Sequence, residues 1–243
     1  NFCEALGKSG KEPYLALKDI YAENYLGGAA AIANNLAEFS KKIKLISMVG
    51  ENKEYYNFIK KKLNKKVEST FFKKKNSPTI LKKRFIDNIT KSKLFGIYSI
   101  NDDNNPIKED NQISQCIEKN IKRFDLIIIS DYGHGFLSNK TALKICSKKK
   151  FITLNAQVNA SNIGYHTLQK YKNVDATIIN ETELRHEMRS KNDDLISLSR
   201  KLIKKLKTKN LLVTRGKNGA ILINKKNNQL IECPAFANKV IDR

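Results

Sequence analysis

The sequence predicts a doubly wound α/β core with a small antiparallel sheet attached, and three observations lead there. From Ile43 onward, short runs rich in Ile, Leu and Val alternate with longer helical stretches. Such runs suit buried parallel strands, and the strand, helix, strand repetition winds them into one sheet. Two regions break the alternation with the two-residue period of antiparallel strands. Finally, 243 residues with 40% hydrophobic content and four prolines can bury one large core, or one core plus a small appendage.

From the amino end, Pro13–Lys18 reads as a first short strand of the accessory sheet. Tyr25-Leu26-Gly27-Gly28 then leads into a small-residue helix over Ala29–Phe39. The glycine pair permits a tight turn and leaves room for a ligand at the helix start, although close packing is the commoner use of such a pair. Asn34 and Asn35 on that helix either bond ligand hydroxyls or face solvent. Ile43–Val49 is the first core strand and Glu54–Leu63 the helix after it. Thr79–Asn88 and Leu94–Ile100 flank the polar turn at 89–93 and complete the accessory sheet, so its strands fall within about 11–26 and 68–100.

The remaining core strands are Asp125–Ser130, Phe151–Leu154, Ala176–Asn180 and Asn210–Thr214. Helices are expected at Gln112–Lys122, Asn139–Lys148 and Asp193–Leu206. In the last of these, Leu195, Ile196, Leu198, Leu202, Ile203 and Leu206 make an apolar face with lysines opposite. Gly219–Asn224 and Gln229–Cys233 straddle the polar run at 225–228 and read as a closing hairpin. No internal repeat and no Pro/Gly/Ser-rich linker divides the chain, so residues 1–243 read as one domain with the accessory strands as its extension.

Three strand-end segments carry chemistry. Ser130-Asp131-Tyr132-Gly133-His134-Gly135 follows a core strand directly, where doubly wound folds place ligands. Asn180 and Glu183 follow another strand at a helix start. They stack on one face, either to hold a hydrated cation near phosphate oxygens or as an N-cap with a capping-box partner. Thr214-Arg215-Gly216-Lys217-Asn218-Gly219 supplies a hydroxyl, backbone amides and cations in a turn suited to phosphate, or a tight entry to the hairpin.

The formal charge is +22, which raises nucleic acid as a partner. Lysine, however, appears in every segment together with abundant Asn and Ile, and no nucleic-acid motif accompanies it. Cys3, Cys116, Cys146 and Cys233 are too far apart for a zinc knuckle or redox pair. No run approaches the ~18 apolar residues of a membrane span, and the first ten residues lack a leader pattern, so the expected compartment is the cytoplasm.

Taken in order, these segments resemble the phosphofructokinase-B or ribokinase-like kinase family over essentially the whole chain. Gly27, Gly28 and the following helix are similar to its first signature, and Ser130–Gly135 to the loop after a central strand. Asn180 and Glu183 match its Asn-x-x-Glu motif, and Thr214, Gly216 and Gly219 its Thr-x-Gly-x-x-Gly nucleotide loop. The Ser-Asp-Tyr-Gly loop, Thr79, Lys82 and Arg84, and Pro234-Ala235-Phe236-Ala237 look like the branch that phosphorylates the anomeric hydroxyl of a heptose 7-phosphate. The pattern is departed from in three places: Ala31 stands for an asparagine, His134 for a lysine, and the segment Asn155-Ala156-Gln157 for Asp-Pro-Lys. Lys82, Arg84 or the segment Gly7-Lys8-Ser9-Gly10-Lys11 are the cations that would compensate.

The resemblance implies a three-layer ribokinase-like core with the accessory sheet as a lid, and ATP and Mg2+ as cosubstrate and metal. The site residues it implies are Gly27, Gly28, Asn35, Lys82, Arg84, Asp131 and His134 for the sugar or sugar phosphate, and Asn180, Glu183, Thr214, Gly216, Lys217 and Gly219 for nucleotide. Glu183 and Asn180 would hold the metal through water. The family's opening strand and adenine-covering part are expected outside this segment. Its catalytic base is expected after Val240-Ile241-Asp242 and beyond Arg243, so residues 1–243 alone are expected to lack turnover. A homodimer through the lid and a fused nucleotidyltransferase domain are further expectations. A family member that binds without catalysis and a basic nucleic-acid-binding protein are the alternative readings.

Overall fold

The computed structural model describes residues 1–8, 10, 14–158, 162 and 164–236. The chain forms two compact units, 1–101 and 102–243.

The first unit contains β1 (Phe2–Lys8), β2 (Leu15–Tyr21), α1 (Gly28–Leu36), β3 (Ile43–Gly50), α2 (Tyr56–Lys62), β4 (Val67–Lys74), β5 (Leu81–Asp87) and β6 (Lys93–Ser99). Its accessory sheet has four strands in the order β2-β1-β5-β6, with β1 parallel to β5 and the outer pairs antiparallel. The second sheet pairs β3 with β4 in parallel over eight residues. Ala33 of α1 packs with Leu45 and Val67, and Ala29, Ala30 and Phe71 close around them. Small residues on α1 thus let the helix lie close on the pair. Gly50 abuts the backbone of Ser77, Pro78 and Thr79, where a Cβ would stand 2.2 Å from the Thr79 nitrogen, so only glycine fits.

The second unit holds α3 (Ile107–Ile121), β7 (Leu126–Asp131), α4 (Asn139–Cys146), β8 (Phe151–Ala156), β9 (Ala176–Asn180), α5 (Glu181–Met188), α6 (Leu195–Leu206), β10 (Asn210–Thr214), β11 (Ala220–Asn224) and β12 (Leu230–Cys233). They form one six-stranded sheet in the order β12-β11-β10-β9-β8-β7. β7 to β10 run parallel, which places their carboxyl ends along one edge, while β11 and β12 form the antiparallel hairpin.

Register sorts the two faces of this sheet. Ile129, Ile152, Leu154, Thr177, Ile179, Leu211, Val213, Ile221 and Ile223 share one face, and all are buried. On the other face Leu126, Ile128, Phe151 and Ile178 remain 44%, 39%, 50% and 36% exposed.

The expected core strands all form, within two residues of their predicted ends. α3 begins at Ile107, five residues before its predicted start. β1 and β4 have no counterpart among the expected elements, and β4 joins β3 rather than the accessory sheet.

Candidate functional site

Asp131 ends β7 and starts the loop that the sequence singles out. Its side chain is only 4% exposed, and both carboxylate oxygens are engaged inside the protein. Oδ2 accepts from the Tyr171 hydroxyl at 2.6 Å and lies 2.7 Å from the Lys170 ammonium. Oδ1 accepts from the Gly133 amide at 3.0 Å. Burial alone would raise this carboxyl, but the charges of Lys170 and His166, with the hydrogen bonds from Lys170 and Tyr171, hold it below the usual carboxylate range. Burial pushes His166 down against the pull of Asp131. The same burial, reinforced by Asp131, holds the Tyr171 phenol well above its ordinary value, so it remains a donor.

The rest of the loop is held by its backbone. Asn162 donates to the Tyr132 carbonyl at 2.8 Å and Asn105 to that of Gly135 at 2.9 Å. Gly133 has φ +71° and lies so close to Asn162 and His166 that a Cβ would meet the Asn162 amide at 2.2 Å. His134 is buried, its Nδ1 2.6 Å from an Asp102 carboxylate oxygen. None of Asp102, Asn105, Asn162, His166, Lys170 and Tyr171 stands out in the sequence. For Asn162, His166, Lys170 and Tyr171 the available signal is the length of the β8–β9 connection, far beyond the 2–6 residues typical between core elements; Asp102 and Asn105, ahead of α3, have none.

Further along the same edge, Asn180 caps α5. Its Oδ1 accepts from the Glu183 amide at 2.8 Å, and Glu183 Oε2 accepts from the Asn180 amide at 3.0 Å, a complete capping box. Glu183 is 5% exposed. Burial raises its carboxyl, with backbone bonds from Asn180 and Val158 opposing. Thr214 pairs with Asn180 in the parallel register of β9 and β10, so both stand on one face of the sheet at its carboxyl edge. Beyond Thr214, the turn Gly216–Asn218 is closed by the Arg215 amide donating to the Gly219 carbonyl at 2.7 Å, and Thr214, Gly216 and Lys217 are exposed. Gly216 has φ +55°. Gly219 has φ +77° and touches the backbone of Cys233 to Ala235, so the hairpin itself requires glycine there.

In the first unit Gly27 is exposed with open space around its Cα, and Gly28 opens α1 with φ +54°. Asn34 faces inward: it donates to the Lys62 carbonyl at 2.8 Å and accepts from the Asn64 amide at 2.8 Å, tying α1 to the end of α2. Asn35 is exposed. Lys82 and Arg84 lie two residues apart on β5 and share one face, with the Lys82 ammonium 5.6 Å from the centre of the Tyr98 ring. Thr79 is buried, accepting from the Gly50 amide at 3.0 Å and donating to Glu54 at 3.3 Å. Ser9, Lys11, Ala237 and Val240-Ile241-Asp242-Arg243 lie outside the described residues, and with them the point beyond Arg243 where the sequence places a catalytic base.

A sheet parallel over β7 to β10, with Asp131, the Asn180–Glu183 box and the Thr214 turn ranged along its carboxyl edge, together with a unit whose small accessory sheet is mixed where the sequence suggested a purely antiparallel one, defines a ribokinase-like α/β protein. The chain belongs to the pfkB family of carbohydrate kinases, whose family description matches residues 6–243. It is similar to phosphofructokinase-2 from Escherichia coli in complex with fructose-6-phosphate, with a TM-score of 0.65 at 12% identity, over 96% of this chain and 75% of that one. It is similar also to ribokinase from Thermotoga maritima, with a TM-score of 0.64 at 17% identity, over 99% and 77% of the two chains. Among curated proteins, the bifunctional protein HldE of Helicobacter pylori strain G27 is 28% identical over 98% of this chain and 50% of its own length. That of a Nitratiruptor species is 25% identical over 90% and 46%. The chain spans about half the length of these curated relatives. Among the described residues no helix is long and apolar enough to cross a membrane.

Proposed function

We propose that the protein transfers the γ-phosphoryl group of ATP to a hydroxyl of a sugar or sugar phosphate, with a heptose 7-phosphate as the favoured acceptor. The observation that carries this reading is the pairing of Asn180 with Thr214, which sets the Asn-x-x-Glu box beside the Thr-x-Gly-x-x-Gly turn on one sheet edge. The Thr214 hydroxyl and the turn with Gly216, Lys217 and Gly219 would receive the nucleotide phosphates. Phosphoryl transfer needs mainly positioning and charge neutralisation, so a fixed turn next to a fixed cap is suitable equipment.

Magnesium fits the residues present, provided that water lies between. Among the described residues no group of three or more His, Cys, Asp or Glu could hold a metal, and Mg2+ bound to phosphates commonly keeps several waters and one or two carboxylates. Glu183 and Asn180 would hold that hydration shell. When bound, the ion draws charge from the oxygens of the transferring group.

For the acceptor, Lys82 and Arg84 on one face of β5 suit the phosphate of a sugar phosphate. Gly27, Gly28 and Asn35 would line its hydroxyls, and His134 and Asp131 shape the loop after β7. Both units would then act as one kinase domain, with the base that deprotonates the acceptor supplied from beyond Arg243. The bifunctional relatives favour a second, nucleotidyltransferase activity in the complete protein, and the cytoplasm is the expected compartment. Two copies would pair through the accessory sheet, where Phe95 and Ile97 of edge strand β6 are 45% and 53% exposed. A monomer at micromolar concentration in sedimentation analysis would remove that part.

A binding protein without turnover is the second reading, favoured by the capping box, in which Asn180 and Glu183 bond each other. The test measures ATP consumption by the complete gene product against a panel of phosphosugars including heptose 7-phosphates. Turnover above about 1 s⁻¹ with one of them supports the kinase. Saturable sugar or nucleotide binding without ADP release supports the second reading instead.

A further inference from the structure

One ammonium group bridges the two ends of the loop after β7. Lys170 Nζ lies 2.7 Å from Asp131 Oδ2 and donates to the carbonyl of Leu137 at 2.8 Å. Asp131 opens the loop and Leu137 ends it, and both are buried, at 4% and 8% exposure. Lys170 itself comes from a distant stretch of chain, the 3-10 turn Leu168–Lys170 between β8 and β9. Its stem is covered, with only 17% of the side chain exposed. Beside it, Tyr171 is fully buried and donates its hydroxyl to the same carboxylate oxygen.

We propose that Lys170, supported by Tyr171, is a positioning residue that clamps both ends of the Asp131–Leu137 loop and so sets the shape in which that loop meets the sugar substrate. Asp131 accordingly acts as the anchor of the clamp and not as a sugar ligand, because each of its oxygens already has an internal partner. What the loop meets rests on the kinase reading; the clamp itself is independent of it. A flexible ammonium with three donors can serve two acceptors at once, which a neutral side chain of equal length cannot. Between the anchors the backbone is tied at the Tyr132 and Gly135 carbonyls by Asn162 and Asn105, so the clamp acts on the two ends of the loop, at the Asp131 carboxylate and the Leu137 carbonyl.

A lysine that only balances the buried charge of Asp131 would look similar, and the double variant separates the two roles. In the complete gene product, Lys170→Met should speed amide exchange in residues 132–137 at least about tenfold. It should also raise KM for the sugar about tenfold, leaving KM for ATP within about twofold. Lys170→Arg, which keeps a cation with several donors, should hold both values near wild type. Asp131→Asn combined with Lys170→Met removes the uncompensated charge and should regain the thermal stability lost in Lys170→Met. It should not regain slow loop exchange or the low sugar KM, since Leu137 stays untied. Recovery of all three would assign Lys170 to charge balance and overturn the clamp. Unchanged loop exchange in Lys170→Met would overturn it as well. If the wild-type protein phosphorylates no sugar, the kinase reading fails, and the exchange measurement still decides the clamp.

Discussion

Two buried carboxylates lie near the same sheet edge and should respond to pH with opposite signs. Asp131 is held below its ordinary range, ~3.9, because Lys170, His166 and Tyr171 outweigh the burial that opposes them. The unfolded chain therefore binds its proton more readily, and the stability Asp131 contributes is present above that range and lost as pH falls through the lowered value. Glu183 is raised above its ordinary value, ~4.3, by burial. There the folded state binds the proton more tightly, so stability declines as pH rises from the ordinary value through the raised one. Glu183→Gln keeps a side chain able to complete the capping box and removes that ionisation. Urea unfolding between pH 4 and pH 8 should show its stability gaining on wild type as pH rises, and the same measurement carried below pH 4 should show Asp131→Asn losing less than wild type. A Glu183→Gln variant that falls behind wild type as pH rises would mean that the charge is favoured in the folded state. That would fit a carboxylate held ready for a cation better than a cap.

At the scale of elements, α6 shows what was legible. Its period places Leu198, Leu202, Ile203 and Leu206 inward and Lys201, Lys204 and Lys205 outward, and Asp194 caps it by accepting from the Ser197 amide at 2.8 Å. Leu202→Ala should cost about 2–5 kcal/mol in chemical denaturation, the range for a fully buried leucine; a loss below about 1 kcal/mol would mean the helix packs loosely. β7 to β10 were readable for the same reason, since a strand buried in a parallel sheet is a compact apolar run. The first turns of α3 were not: Ile107 is 80% exposed, and the segment from Lys108 to Asn111 offers charge instead of apolar period, though Glu109 and Asp110 suit a helix start. β4 hides its pattern in Val67-Glu68-Ser69-Thr70, where pairing with β3 decides the conformation. The strand-end motifs were legible as positions, whereas their partners were not. Lys170 and Tyr171 meet Asp131 across about forty residues of sequence, and no local periodicity encodes such a contact.

For the molecule as a whole, the consequential feature is the uneven cover of the six-stranded sheet. Parallel sheets are normally buried on both faces, because each strand carries apolar side chains to either side. Here Leu126, Ile128 and Phe151, neighbours on β7 and β8, share one face with Ile178 of β9, and all four are between 36% and 50% exposed. Toward the carboxyl edge that face becomes polar, with Ser130, Asn155, Asn180 and Thr214 at the strand ends. An apolar floor with a polar rim is what a covering layer and a polar ligand would each require, and a contiguous apolar patch open to water is a liability for association. Residues 1–243 produced alone should therefore enhance the fluorescence of an apolar dye such as ANS several-fold over a compact control protein. Ile128→Thr with Phe151→Thr should reduce the signal by about half or more, while circular dichroism stays unchanged, since threonine keeps the β-branched preference for strands. Dye fluorescence at the level of the control would show that the face is covered in solution by the chain itself. If the signal persists in the double variant, the apolar surface lies elsewhere, and the exposed accessory-sheet residues Phe95 and Ile97 become the next pair to change.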